Sequence, residues 1–389
     1  MSDVLKIRSV ETFVIALPTR RPHLWAGLTA PAGRGYLVLK LTLDNGVVGW
    51  GEAQPIQTWG GEHGSRYGET PETARHIIED HLVPGLADVD VCQFENVHAA
   101  MNRVVRGHNY AKAALEIAIM DAVGKTLGVP VYQLLGGRTR DRVAIAHSIG
   151  LMDIDVAVDE AVRVVSEGVM TLKLKIGIDV ARDIKLVAEI RKAIGDAPFI
   201  RVDANQGYRT WREAVDAVNK MTEYNIVYAE QLVQDVDGLA EVAARCQVPI
   251  MADESVWTSR DVTVIAAKKA AEYLSVYYTK PGGLWNARKL LAVAGAHGMF
   301  SDINGSGEMG IGNAANLHLA ASAPEVILPG TIPITSTAEI ERTKTAGHKY
   351  LDDIITEPFV YADGCLTVPT GAGLGIVVDE SKIAKYRIG

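Results

Sequence analysis

Lys173 and Lys175 alternate with leucines in residues 171–177 (TLKLKIG), and three later hydrophobic runs end in acids: Asp203 (FIRVD), Glu230 (IVYAE) and Asp253 (PIMAD). If 171–176 is a strand, its period of two puts both ammonium groups on one side and both leucines on the other. Two cations on a buried strand are costly unless anions face them. The acids follow one another at intervals of 27 and 23 residues, one strand-plus-helix unit each, so adjacent strands would present them side by side. A single carboxylate at a strand end more often caps the next helix. Three on consecutive strands repel one another unless a cation joins them. Oxygen-only ligation points to magnesium or manganese, with positions left for water or substrate. Such an ion neutralises the charge that develops when a proton leaves the carbon alpha to a carboxylate, which is chemistry for making an enolate. Lys175 is placed to remove or deliver that proton, and Lys173 to hold a carboxylate oxygen.

The elements that must position these side chains follow from the texture of the chain. After Arg138, apolar runs alternate with helical patterns, at 143–148, 171–176, 199–203, 226–230, 249–253, 273–277, 298–303 and 326–330. Eight such units favour a β/α barrel, whose strand ends carry the chemistry, over an open dinucleotide-binding sheet. No GxGxxG follows a first strand, so a dinucleotide site has no support. Before the barrel, 5–17 and 35–50 read as strands, the second folded back at Asp44-Asn45-Gly46. Two loops interrupt this part: 19–35, with His23 and Trp25, and 54–70, with Trp59, His63, Arg66 and Tyr67. Aromatic, basic loops containing glycine can close over a small ligand. Thr70-Pro71 starts a helix, and a longer one spans 110–127 before Gly128-Val129-Pro130. The expected organisation is an α+β domain over 1–137, a barrel over 138–355, and a segment of strand and turn, 356–389, returning to the first domain.

Composition narrows the partners. Of 389 residues 48% are hydrophobic, enough for a large core, and the net charge of −8 without a basic tract argues against a nucleic-acid surface. Three widely spaced cysteines, Cys92, Cys246 and Cys365, make neither a disulfide frame nor a zinc site. The first eighteen residues mix Asp and Glu with short alternating runs, unlike a signal peptide or a membrane span. A cytoplasmic protein acting on a small carboxylate is expected.

Over nearly its full length the chain resembles the muconate-lactonising subgroup of the enolase superfamily. The resemblance rests on GWGEA (49–53), GHNYAKAA (107–114), LLGG (134–137), KLKIG (173–177), VDANQ, ADES, GIGNAANLHLAA (310–321) and GAGLGIVVDE near the C-terminus. It implies an α+β capping domain followed by a modified TIM barrel, (β/α)7β. Asp203, Glu230 and Asp253 would ligate Mg2+ or Mn2+, cap loops carrying His23, Trp25 and Trp59 would meet the substrate, and Asn205 and Glu308 would face the pocket. Homo-oligomers, dimers or octamers, are also implied, as is a choice among cycloisomerase, dehydratase, and racemase or epimerase chemistry. Two departures bear on that choice. The subgroup's sixth strand reads KxxKxGG, with its first lysine the second acid/base; here Tyr277-Tyr278-Thr279-Lys280-Pro281-Gly282-Gly283 puts Tyr277 in that place and Lys280 in the second, non-catalytic one. Residues 304–307 (NGSG) also alter the approach to Glu308. With a phenol in place of a lysine, two-base epimerisation is disfavoured, and one-sided chemistry by Lys175, cycloisomerisation or syn dehydration, is expected. Arg21-Pro22-His23 resembles the RPH of muconate cycloisomerases and tilts the reading that way, while His63, Arg66 and Tyr67 suit a hydroxylated acid.

Overall fold

The computed structural model describes residues 4–26, 35–61, 65–66, 68–305, 307–334 and 349–389. His63, Tyr67 and Ser306 lie outside them. The capping domain begins with an antiparallel sheet of β1 (Ile7–Ile15), β2 (Tyr36–Leu43) and β3 (Val48–Ala53), in that order. The β2–β3 turn works because Gly46 takes a left-handed φ of 85° and Asn45 Oδ1 accepts the Val47 N–H at 3.0 Å. Next come α1 (Pro71–Ile77), a π-helical turn at Ile78–Leu82, α2 (Val83–Gly85), α3 (Phe94–Val104), α4 (Asn109–Leu127) and α5 (Val131–Leu134). Helix α1 opens on a Thr70–Thr73 capping box with Pro71 at its first turn. Helix α4 lies directly on β3: a Cβ on Gly49 or Gly51 would come 2.0 Å from the Ala118 or Ala114 carbonyl oxygen, so only glycine permits this approach.

A parallel sheet follows, ordered β11-β10-β9-β8-β7-β6-β5, with a helix after each strand. A short β4 (Arg142–Ala144) precedes β5 (His147–Ile149), α6 (Ile154–Ser166), β6 (Thr171–Lys175), α7 (Val180–Ile194), β7 (Phe199–Asp203) and α8 (Trp211–Met221). Then come β8 (Ile226–Glu230), α9 (Val236–Ala243), β9 (Ile250–Ala252), α10 (Ser259–Lys268), β10 (Tyr273–Val276), α11 (Leu284–Ala296), β11 (Phe300–Ile303) and α12 (Gly310–Ser322). The eighth run is not a regular strand. Residues 326–331 close the ring by single bridges, Ser301 to Val326, Asn304 to Thr331 and Ile145 to Gly330. Pro329, with no N–H to donate, interrupts a ladder there. The first expected run, 143–148, is also divided. Its start, β4, pairs outside the barrel with β13 (Cys365–Thr367), which in turn pairs with β12 (Tyr361–Ala362).

The C-terminal residues contain a helix that their turn-rich texture hides, α13 (Glu380–Tyr386), capped by Asp379. Backbone bonds from Ala16 N–H to Tyr386 O (3.0 Å) and from Ile388 N–H to Val14 O (2.8 Å) tie its end to β1. Carboxylates carry the cap on barrel helices. Glu52 accepts from the Met309 and Gly312 N–H groups (2.6 and 2.8 Å) at the start of α12, and Glu116 from Leu284 and Trp285 (2.7 and 2.8 Å) at the start of α11. Among the described residues no helix is long and apolar enough to cross a membrane.

Candidate active site

Parallel register sets the site. Lys175 is level with Asp203 and Asp203 with Glu230, while Asp253 follows the end of β9. Ligand oxygens of Asp203, Glu230 and Asp253 lie within 4.8 Å of one another, all buried. Each of three lysines answers this charge. Lys173 Nζ donates to Glu230 Oε1 (2.7 Å) and lies 2.9 Å from Asp203 Oδ2. Lys175 Nζ donates to Asp203 Oδ2 (2.5 Å) and Asn205 Oδ1 (2.6 Å), and Lys280 Nζ to Asp253 Oδ1 (2.7 Å). The buried lysines thus face the carboxylates themselves, and Lys173 in particular is engaged by two of them. Burial would lower the Lys173 ammonium, but Asp203 and Glu230 outweigh it and hold it protonated. Burial likewise opposes ionisation of Asp203, yet Lys173 and Lys175 hold it well below the usual carboxylate range. Glu230 goes the other way: burial first, then the Asp203 charge, push its carboxyl up. Its Oε2 makes no hydrogen bond among the described residues. An all-oxygen donor set with a buried acceptor left over fits a hard divalent cation held by these three side chains.

Above the carboxylates lies a cavity of ≈350 Å3. His23 and Trp25 enter it from the first cap loop, Trp59 from the second, and Lys173, Lys175, Asn205, Asp253 and Tyr277 from the barrel. Burial, then the Lys175 charge, keeps the His23 imidazole well below its ordinary pKa and therefore neutral. Its Nε2 lies 3.3 Å from Ser148 Oγ. Trp25 presents its ring 6.0 Å from the Lys175 ammonium, and Trp59 packs on Tyr277 (4.9 Å) and Trp257 (5.4 Å). Burial and Asp253 push the Tyr277 phenol well up. Asn205 reaches both ways, taking the Lys175 bond on Oδ1 and donating from Nδ2 to Glu254 Oε1 (2.9 Å).

Three placements differ from expectation. Glu308 is buried but does not line the cavity. It sits behind Gly305, which lines the cavity and where an added Cβ would meet Glu308 Oε2 at 2.2 Å. Lys280 does not line the cavity either, yet it is closer to the chemistry than its sequence register suggests. Its ammonium lies over the Tyr277 ring, 4.7 Å from the centroid, and donates to Asp253. Arg66, expected among the substrate-facing residues, turns to Asp261 at 3.1 Å. Glu254, next to Asp253 in ADES, was legible as a fourth acid. Glu160 and His147, which also line the cavity, carried no sequence signal, since Glu160 reads as an ordinary residue of an amphipathic helix.

Two family models match: "Mandelate racemase / muconate lactonizing enzyme, N-terminal domain" over residues 9–136 and "Enolase C-terminal domain-like" over 156–382. The chain is 32% identical to muconate cycloisomerase 1 of Rhodococcus opacus over 99% of both chains, and 32% identical to the L-Ala-D/L-Glu epimerase of Bacillus subtilis over 96% of this chain and 97% of that one. The crystal structure of an N-succinyl Arg/Lys racemase from Bacillus cereus superposes with a TM-score of 0.88 at 26% identity, covering 99% of this chain and 98% of that one. A capping domain over a β/α barrel, with three clustered carboxylates at the strand ends, defines a metal-dependent isomerase or lyase. The chain belongs to the enolase superfamily, in its mandelate racemase/muconate lactonizing branch.

Proposed function

We propose that this enzyme is a cycloisomerase of the muconate type, interconverting an unsaturated dicarboxylate and its lactone, with Mg2+ as its ion and Mn2+ as a substitute. The observation that carries the reading is the asymmetry of the proton-transfer groups. Lys175 lines the cavity on β6, whereas the residue facing it from beyond the end of β10, four strands round the barrel, is Tyr277, whose phenol burial keeps protonated. Addition of the substrate's far carboxylate oxygen to its double bond forms the ring C–O bond and leaves an enolate at the near carboxylate. Lys175 then delivers one proton to the alpha carbon, and the reverse reaction returns it to the amine, so a single base suffices. A divalent ion on Asp203, Glu230 and Asp253 would supply charge neutralisation for the enolate. Trp25 and Trp59 exclude water from the lysine, and Arg20, Arg163 and Lys349, which line the outer half of the cavity, suit the second carboxylate. Syn dehydration of a hydroxylated acid is the second reading, favoured by the protonated Tyr277 phenol as a donor to a departing hydroxyl.

Proton NMR in D2O with Mg2+ and a panel of muconates, lactones, hydroxylated acids and N-acyl amino acids tests this. Lactone formation without loss of water, with deuterium at one alpha position, is expected. A 2-keto acid product would establish the dehydratase instead, and rapid racemisation of an N-acyl amino acid would overturn both.

A further inference from the structure

The first cap loop is seated on the corner between β5 and α6. The Leu151 N–H donates to the Leu24 carbonyl at 2.8 Å. Gly150 lies close beneath: an added Cβ would meet Leu24 O at 3.0 Å and His23 Nδ1 at 3.2 Å. Beside this seat, Arg21 forks onto Glu160 of α6, its Nε donating to Oε2 at 2.8 Å and its Nη2 to Oε1. His147 Nε2 stands 2.6 Å from the same Oε1. Burial alone would raise the Glu160 carboxyl, but the hydrogen bonds and charges of His147 and Arg21 outweigh it and hold it at about 2.

This cluster has a consequence for the cavity. Among the described lining residues the acids are Glu160 and Asp253, and Asp253 belongs to the ion-binding group. Glu160 is therefore the carboxylate with which the outer half could receive a cationic substrate group, and Arg21 and His147 cover it. Only 6% of its side chain is exposed. Stripped of its guanidinium, this buried carboxylate keeps only His147 as a partner, and a cationic group that reaches it restores the lost compensation.

We propose that Arg21, Glu160 and His147 form a clasp that holds His23 and Trp25 in place beside Lys175 and closes the outer cavity to cationic substrate groups. Arg21 is thus a positioning residue for the cap loop and a determinant of charge specificity. The specificity half rests on the reading of the cavity as a carboxylate-substrate site; the positioning half does not.

The test uses the full-length Mg2+-loaded enzyme and the variants Arg21→Met, Glu160→Gln and the charge swap Arg21→Glu/Glu160→Arg. Hydrogen exchange at the Leu151 amide reads the seat, and calorimetric titration with N-acetyl-L-glutamate and N-acetyl-L-lysine reads the charge preference. Arg21→Met should speed Leu151 exchange about tenfold or more and shift the affinity ratio about tenfold toward the lysine derivative. Glu160→Gln should speed exchange without that shift, because the carboxylate is gone, and the swap should restore protection. Unchanged Leu151 protection in Arg21→Met, or an exchange increase spread evenly over the chain, would overturn the clasp. An unchanged affinity ratio would overturn its role in specificity. Failure of every variant to bind either probe would remove the carboxylate reading and the specificity half together, while the exchange comparison would still decide the positioning half.

Discussion

Replacing Lys280 by methionine separates a buried counter-charge from a bystander. Lys280 and Asp253 are each 1% exposed, and the ammonium donates to Asp253 Oδ1 (2.7 Å), Asp253 O (2.8 Å) and Ser275 O (2.8 Å). Methionine keeps the length of the stem but removes the charge and three donated bonds. Breaking one side of a buried ion pair costs about 3–5 kcal/mol, because the remaining charge is uncompensated. Lys289→Met is the control: that lysine pairs with Glu95 in the open, with side chains 45% and 63% exposed, and an exposed pair is worth about 0–1 kcal/mol. Urea unfolding in EDTA should show the difference. With saturating Mg2+, positive charge returns to the Asp253 carboxylate, so part of the Lys280→Met loss should be recovered, although the two carbonyls remain without their donor. A loss in EDTA no larger than that of Lys289→Met, or an equal loss with and without Mg2+, would refute the assignment of Lys280 to the Asp253 charge.

Lys175→Ala should abolish alpha-deuterium incorporation, a loss of about 10²–10⁴ or more, while Mg2+ binding measured by calorimetry persists. Retained incorporation would move the proton transfer elsewhere. Tyr277→Phe should leave lactone formation within about tenfold of wild type if Lys175 alone moves the proton, whereas a dehydration relying on the phenol would fall by about 10² or more. His318 gives a pH dependence away from the site. Its Nδ1 accepts the Tyr132 N–H (3.3 Å) and its Nε2 donates to the Leu374 carbonyl (3.1 Å), and burial lowers its pKa to about 4. Between about 6.5 and 4 the unfolded chain binds a proton that the fold excludes, so this histidine costs stability as pH falls, about 1.4 kcal/mol per unit and about 3 kcal/mol in all. Urea midpoints at pH 7 and pH 5 should fall less in His318→Gln than in wild type, and an equal fall in both would sink this account.

Much of the site was legible because its logic is local. A strand's period of two is written in TLKLK, and an acid ending a hydrophobic run needs no distant partner to be recognised. The repeating spacing of Asp203, Glu230 and Asp253 implied one ring of strand ends, and with it the barrel. The loops bearing His23, Trp25 and Trp59 could be named because aromatic and basic residues among glycines stand out against the apolar runs. The eighth run falls short of its expected strand, since VILPG is apolar enough to resemble one while its proline forbids the ladder. The helix at the C-terminus is not legible in the sequence, its seven residues being too short for periodicity to rise above the flanking turns.

What the sequence by itself determined is therefore which residue types stand at the barrel mouth and in what order. The tertiary structure alone decided how they are paired. Arg21 meets Glu160 across 139 positions and Arg201 meets Asp302 across 101, and no local pattern encodes either. The reach of Lys280 back to Asp253, past a tyrosine that occupies the cavity wall, depends on how β9 and β10 lie side by side. Glu308 was placed by motif at the pocket and by packing behind Gly305. The physical reason is common to all four. Spacing fixes the strand on which a side chain stands, but its partner is set by the closure of the ring and the docking of the cap, which bring distant charges within a few ångströms in a medium where an unpaired charge is too costly to leave alone.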